Sequence, residues 1–184
     1  MSSLKIFAST TLFLAATGLL TASAPYLLTA DGMMHKSPVV AMMAYSQLTV
    51  GDRFASVGAF GTAVEAYRVA ADLTRTQEKL PVDEIRRIAN AQYYAADYRG
   101  AARTLDQLTE EAAIHGDVVA EFWATVDAAR MASLGGAEGF ARWYTIRAQR
   151  LLESPDLDDE TRGEMKRKLA EANLTVFAPH LSSW

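Results

Sequence analysis

In the stretch 51–73, GDRFASVGAFGTAVEAYRVAADL, small residues recur beside bulky aromatics at helical spacing. Phe54 and Val57 follow Gln47 and Val50 at the same rhythm, so the first part reads as a helix with one largely apolar face. Gly58 falls where a helix ends on a left-handed residue, a backbone shape that strains other residues but not glycine. Past Phe60, the residues Ala63, Tyr67, Ala70 and Leu73 share one face of a second helix, with Val64 beside them. Two alanines flanking a tyrosine let two helix backbones come close while the ring fills the gap between them. Gly51 plays the same part on the first helix. Of the shapes open to such a stretch, a tight helical hairpin satisfies all of these positions together.

The pattern resembles the tetratricopeptide repeat, a helix-turn-helix of about 34 residues. Gly51, Phe54, Ala63, Tyr67 and Ala70 stand where that family has its glycine, tyrosine, alanine, aromatic and second alanine. Gln47 replaces the opening aromatic and Arg75 the closing proline. Ser37-Pro38 marks the start of the first helix, serine as N-cap and proline at the first helical position, and its partner is expected from about Gly61 to Lys79. Pro81 opens a second hairpin, with Asp83 and Glu84 in a first turn that favours acids. There Ile85, Ile88, Ala89, Tyr93, Tyr98, Ala101, Leu105 and Leu108 repeat the pattern, Ala89 being the counterpart of Gly51. A third hairpin spans 118–153 around Gly135-Gly136; Leu134, Gly135 and Tyr144 fit, while Phe140 and Arg147 occupy the two alanine positions, making it a degenerate copy. Ser154-Pro155 is expected to start a last helix whose acids (Asp156, Asp158, Asp159, Glu160) precede its bases (Lys166, Arg167, Lys168), as the helix dipole favours. The expectation is an all-α fold. The resemblance implies a right-handed stack of about three tetratricopeptide-like hairpins and a C-terminal capping helix over residues 38–174, with a tail at 175–184.

Composition supports one domain with a real core, since 184 residues is ample and half of them are apolar. A net charge of −4 without a basic block argues against a nucleic-acid partner. The chain has no cysteine, which excludes disulfides, thiolate zinc sites, a cysteine nucleophile and a lipid-anchored cysteine. Residues 1–24 carry one lysine, Lys5, then an apolar run and Ala22-Ser23-Ala24, the pattern of a secretory signal peptide. Pro25 disfavours cleavage after Ala24, so cleavage after Ser23 and retention as a membrane anchor both stay open. Either outcome places the folded part in the periplasm or outside the cell, joined through a connector at 25–37.

No phosphate-binding glycine loop, nucleophile elbow or zinc-protease motif occurs, and the histidines His35, His115 and His180 lie far apart, so no enzyme and no cofactor are expected. Glu111 and His115 share a helix face, but His115 precedes a capping glycine, where a cation suits the helix dipole. Met33, Met34, His35, Met42 and Met43 supply soft ligands, and a copper- or metal-handling protein is the alternative reading. Filling irregular packing gaps is the commoner use of such methionines. In the tetratricopeptide family the first helices line a groove that accepts a peptide or a partner's helix. That resemblance implies a partner-binding surface at Tyr45, Leu48 and Asp52, then Arg86, Asn90, Tyr93 and Tyr94, then Phe122, Thr125 and Ala129. The expected function is an exported scaffold or adaptor for a protein or peptide in the cell envelope.

Overall fold

The structure, a computed structural model, describes residues 37–177, and side chains as far as residue 172. The expected signal segment, the connector up to residue 36 and the tail from residue 178 lie outside the described residues. Among the described residues the chain is all-α, with seven helices: α1 Pro38–Ser56, α2 Phe60–Arg75, α3 Val82–Tyr94, α4 Tyr98–His115, α5 Val118–Leu134, α6 Glu138–Leu151 and α7 Asp159–Phe177. Each helix packs on its neighbours in the chain, and α7 closes over both α5 and α6. The result is a stack of three hairpins, α1–α2, α3–α4 and α5–α6, with a final helix across the end.

Local signals account for the starts and stops. Ser37 caps α1, its hydroxyl accepting the Val39 N–H at 3.3 Å ahead of Pro38. Asp97 and Asp117 cap α4 and α5, accepting the N–H groups of Gly100 and Ala120 at 2.9 Å each. The turn inside every hairpin has one geometry. Gly58, Ala96 and Gly136 are left-handed, with φ of 78°, 58° and 70°. The N–H after each bonds the carbonyl five residues back: Ala59 to Phe54 at 2.9 Å, Asp97 to Gln92 at 2.8 Å and Ala137 to Ala132 at 2.8 Å. This is the double-bonded helix end that satisfies otherwise orphaned carbonyls.

These turns fix the register of each hairpin and correct one expectation. Seven residues before them stand Gly51, Ala89 and Ala129; five after stand Ala63, Ala101 and Ala141; twelve after stand Ala70, Leu108 and Ala148. All nine are buried, and Ala63, Ala70, Ala101, Ala141 and Ala148 are fully so. The third hairpin therefore has its two alanines at Ala141 and Ala148, one residue beyond Phe140 and Arg147. Phe140 is 66% exposed, and Arg147 reaches back to Glu121 instead of filling the interface.

The core is a series of clusters along the stack. Ala63, Val64 and Tyr67 of α2 meet Ile88 and Ala91 of α3, with Leu48, Phe54 and Ala55 of α1 against them. Ala101, Ala102 and Leu105 of α4 meet Ala128, Ala129 and Ala132 of α5, and Ala141 and Tyr144 of α6. Alanine at so many contacts brings backbones together, and the cost of leaving no space appears at Gly51. A Cβ there would lie 2.3 Å from Cε1 of Tyr67.

The last helix begins later than Ser154-Pro155 suggests. Residues 154–158 form a turn in which Leu157 is buried, and Asp158 is the true cap, accepting the Thr161 N–H at 2.8 Å and the Thr161 hydroxyl at 2.7 Å. Those bonds hold the Asp158 carboxyl below the usual carboxylate range. Arg162 closes the turn by donating to the carbonyls of Leu152, Ser154 and Leu157 at 2.9, 3.1 and 2.8 Å. Beyond it Met165, Leu169 and Ala172 pack on Phe122 and Val126 of α5 and on Ala148 of α6. Likewise α2 stops at Arg75 rather than Lys79, because the chain turns through Glu78 at a φ of 59°.

Candidate partner-binding face

Helices α1, α3 and α5 present equivalent positions six residues before their turns: Asp52, Asn90 and Arg130, all exposed. Ion pairs bridge these alternate helices. Arg87 of α3 pairs with Asp52 of α1, which also accepts the Tyr67 hydroxyl at 2.8 Å. Arg86 of α3 reaches Asp127 of α5 at 3.4 Å. Burial, then the bond to Asp52, pushes the Tyr67 phenol up to about 12. Burial alone would lower the Arg87 guanidinium; the bond to Asp52, the Asp52 charge and the contact with Tyr67 together outweigh that, leaving it above the usual arginine range.

Between α3 and α5 lies a pocket of about 290 Å³, lined by Arg86, Ala89, Asn90, Tyr93 and Tyr94 of α3, Asp127, Arg130 and Met131 of α5, and Leu105 beneath. Burial pushes the Asp127 carboxyl up, and the charges of Arg86 and Arg130 pull it back part of the way. Two arginines thus share one carboxylate, at a long separation from the one that bonds it. Each retains donors for another anion. Tyr93 and Tyr94 pack edge to face at 5.3 Å, and Tyr94 stacks on Phe60 at 5.9 Å. The rings are fixed yet open, Tyr93 39% exposed and Tyr94 68%.

Of the residues expected to bind a partner, Arg86, Asn90, Tyr93 and Tyr94 come together in this pocket. Tyr45 is 72% exposed on α1, and Asp52 is committed to Arg87 and Tyr67. Leu48 is half-buried against the α2–α3 core. Phe122 and Thr125 do not belong to the face. Both are fully buried, Phe122 under α7 and Thr125 with its hydroxyl bonded to the Glu121 carbonyl at 2.7 Å. Ala129 is core as well. The reason is the one-residue register difference already met in this hairpin: counted from Gly136, the α5 position matching Asn90 is Arg130. Asp127, Arg130 and Met131 are the residues that the sequence pattern missed, and aligning Gly136 with Gly58 is the signal that finds Arg130.

Metal readings fare differently by position. Met33, Met34 and His35 lie outside the described residues. Met42 is 67% exposed while Met43 is half-buried, because adjacent residues leave a helix about 100° apart. Glu111 is engaged by Arg75 through two bonds, 2.7 and 3.1 Å, rather than turned to His115. Among the described residues no group of three His, Cys, Asp or Glu side chains is placed to hold a metal ion. Among them, too, no helix is long and apolar enough to cross a membrane. Comparison with protein-family models, curated proteins and solved structures returns no match.

Proposed function

We propose that this chain is an exported, tetratricopeptide-like adaptor that binds a segment of another protein along the face built by α1, α3 and α5. The observation that carries the reading is the α3–α5 pocket, where arginines, an asparagine and two fixed tyrosines converge on a surface of alternate helices. Such a surface suits an extended or helical segment that presents an acidic side chain next to an apolar one. Arg86 and Arg130 take the acid, displacing Asp127 as the partner of Arg86; the Asn90 amide bonds the segment's backbone; Tyr93 and Tyr94 receive the apolar group. Recognition rather than catalysis is the proposed role, and the leader pattern at residues 1–24 supports a location in the cell envelope.

Crosslinking of cells followed by capture of the full chain tests this directly, with Arg86→Glu/Arg130→Glu and Tyr94→Ala compared against the unaltered protein. All three positions are exposed, and thermal denaturation of each variant separates a lost contact from a destabilised stack, since Arg86 and Arg130 also neutralise Asp127. A partner is captured by the unaltered chain, and each variant weakens it by roughly 1–2 kcal/mol, a five- to thirtyfold loss. Equal capture by all of them overturns the proposal.

A further inference from the structure

Helix α6 faces two ways. It buries Ala141, Tyr144, Thr145 and Ala148 against the stack. Its other side turns Phe140, Trp143 and Ile146 outward, 66%, 50% and 43% exposed among the described residues. Arginines run through the same side: Arg142 and Arg150 are exposed and, among the described residues, belong to no ion pair. Arg147 lies with its guanidinium 5.6 Å from the centre of the Trp143 ring while bonding Glu121 at 2.8 Å. The outermost positions, Gly139, Arg142, Trp143, Ile146 and Arg150, include no acid. The helix holds three arginines and one glutamate in a chain whose net charge is −4.

An exposed strip of tryptophan, phenylalanine and isoleucine flanked by arginines suits the boundary of a bilayer. Apolar groups enter the acyl edge, while guanidinium groups stay with the phosphates on long aliphatic stems. A polar protein surface would leave Trp143, Phe140 and Ile146 against water-loving groups, whereas an anionic lipid surface matches both the rings and the two cations outside any ion pair among the described residues. We infer that the outer face of α6 docks on an anionic lipid surface, laying the helix in the interfacial plane. Because α6 is the second helix of its hairpin, this contact leaves the α3–α5 pocket uncovered, and it stands whether or not that pocket binds a partner.

The absence of cysteine makes the test clean. A nitroxide placed on the full chain at Ile146→Cys, and separately at Val69→Cys on the exposed side of α2, reports immersion through its collision rates with oxygen and with a water-soluble nickel complex. Vesicles of mixed phosphatidylglycerol and phosphatidylcholine are compared with phosphatidylcholine alone. The label at position 146 leaves water on the anionic vesicles only, the label at 69 stays aqueous on both, and Arg142→Glu/Arg150→Glu lowers the immersed fraction by about tenfold or more. The inference falls if the 146 label stays aqueous on anionic vesicles, or is immersed equally on both compositions. It falls also if the label is shielded before vesicles are added, which would assign the face to a second copy or to the chain's own end.

Discussion

At Gly51 a single hydrogen decides how closely α1 and α2 approach. A methyl group there would meet the Tyr67 ring, itself buried and tied through its hydroxyl to Asp52. Gly51→Ala is expected to destabilise by about 1–3 kcal/mol, whereas Gly163→Ala, in an exposed helix interior with nothing within 4 Å of the added atom, stabilises by about 0.5–1 kcal/mol. Thermal denaturation of the two variants distinguishes close packing from helix propensity. Ala96 offers the reverse case, a residue with a side chain in the left-handed region where the other two turns use glycine. Ala96→Gly relieves that strain and raises the denaturation midpoint, with a net gain of about 0.5–1 kcal/mol. Tyr67 sets an alkaline limit. Its phenol rises from the ordinary 10.0 to about 12 in the fold, so folding favours the neutral form. That contribution is whole below the unfolded value and is lost as pH climbs through the folded one. Stability measured by urea between pH 10 and 12 therefore falls, and falls less steeply in Tyr67→Phe.

Helices differ in what holds them. Glu121 and Arg147 join α5 to α6 from a partly buried position, whereas Arg68 and Glu65 form an exposed pair within α2 that adds little. The final helix depends on Met165, fully buried against α5 and α6. Met165→Ala is expected to cost about 2–5 kcal/mol and to uncover Phe122 and Val126, with greater dye binding at temperatures below the main transition as the readout. Element boundaries also show what the residues alone disclose. Small residues at Ala63, Ala70 and Ala101 disclosed the first two hairpins, because alanine opposite a bulky residue has few other uses inside a helix pair. The third was harder: Phe140 and Arg147 are large, and only the left-handed turn at Gly136 says that the interface is one residue further on. Ser154-Pro155 looks like a helix start because serine and proline favour one. The chain uses them in a turn instead, since Arg162 gathers three carbonyls there and Asp158 provides the stronger cap. Half of the pocket was legible for the same reason: α3 carries an unambiguous register, and α5 does not.

Across the molecule, burial of the described residues is uneven from α1 to α7. In α1 only Ala44 and Gly51 are buried, whereas α5 has nine buried residues and lies between α4, α6 and α7. A stack whose units touch mainly their neighbours opens most readily at the end with fewest partners. Hydrogen exchange is expected to be fastest for the amides of α1 and slowest for those of α5, and uniform protection through both would contradict this gradient. The identical joints at Gly58, Ala96 and Gly136 carry a different consequence. Because each hands the chain on with the same bend and the same carbonyl bond, cutting at one joint and splicing at the next removes a hairpin without asking either flank to learn a new shape. A gene that duplicated or dropped such a block would lengthen or shorten the protein by whole steps, with the Arg162 clasp still fastening its last rung.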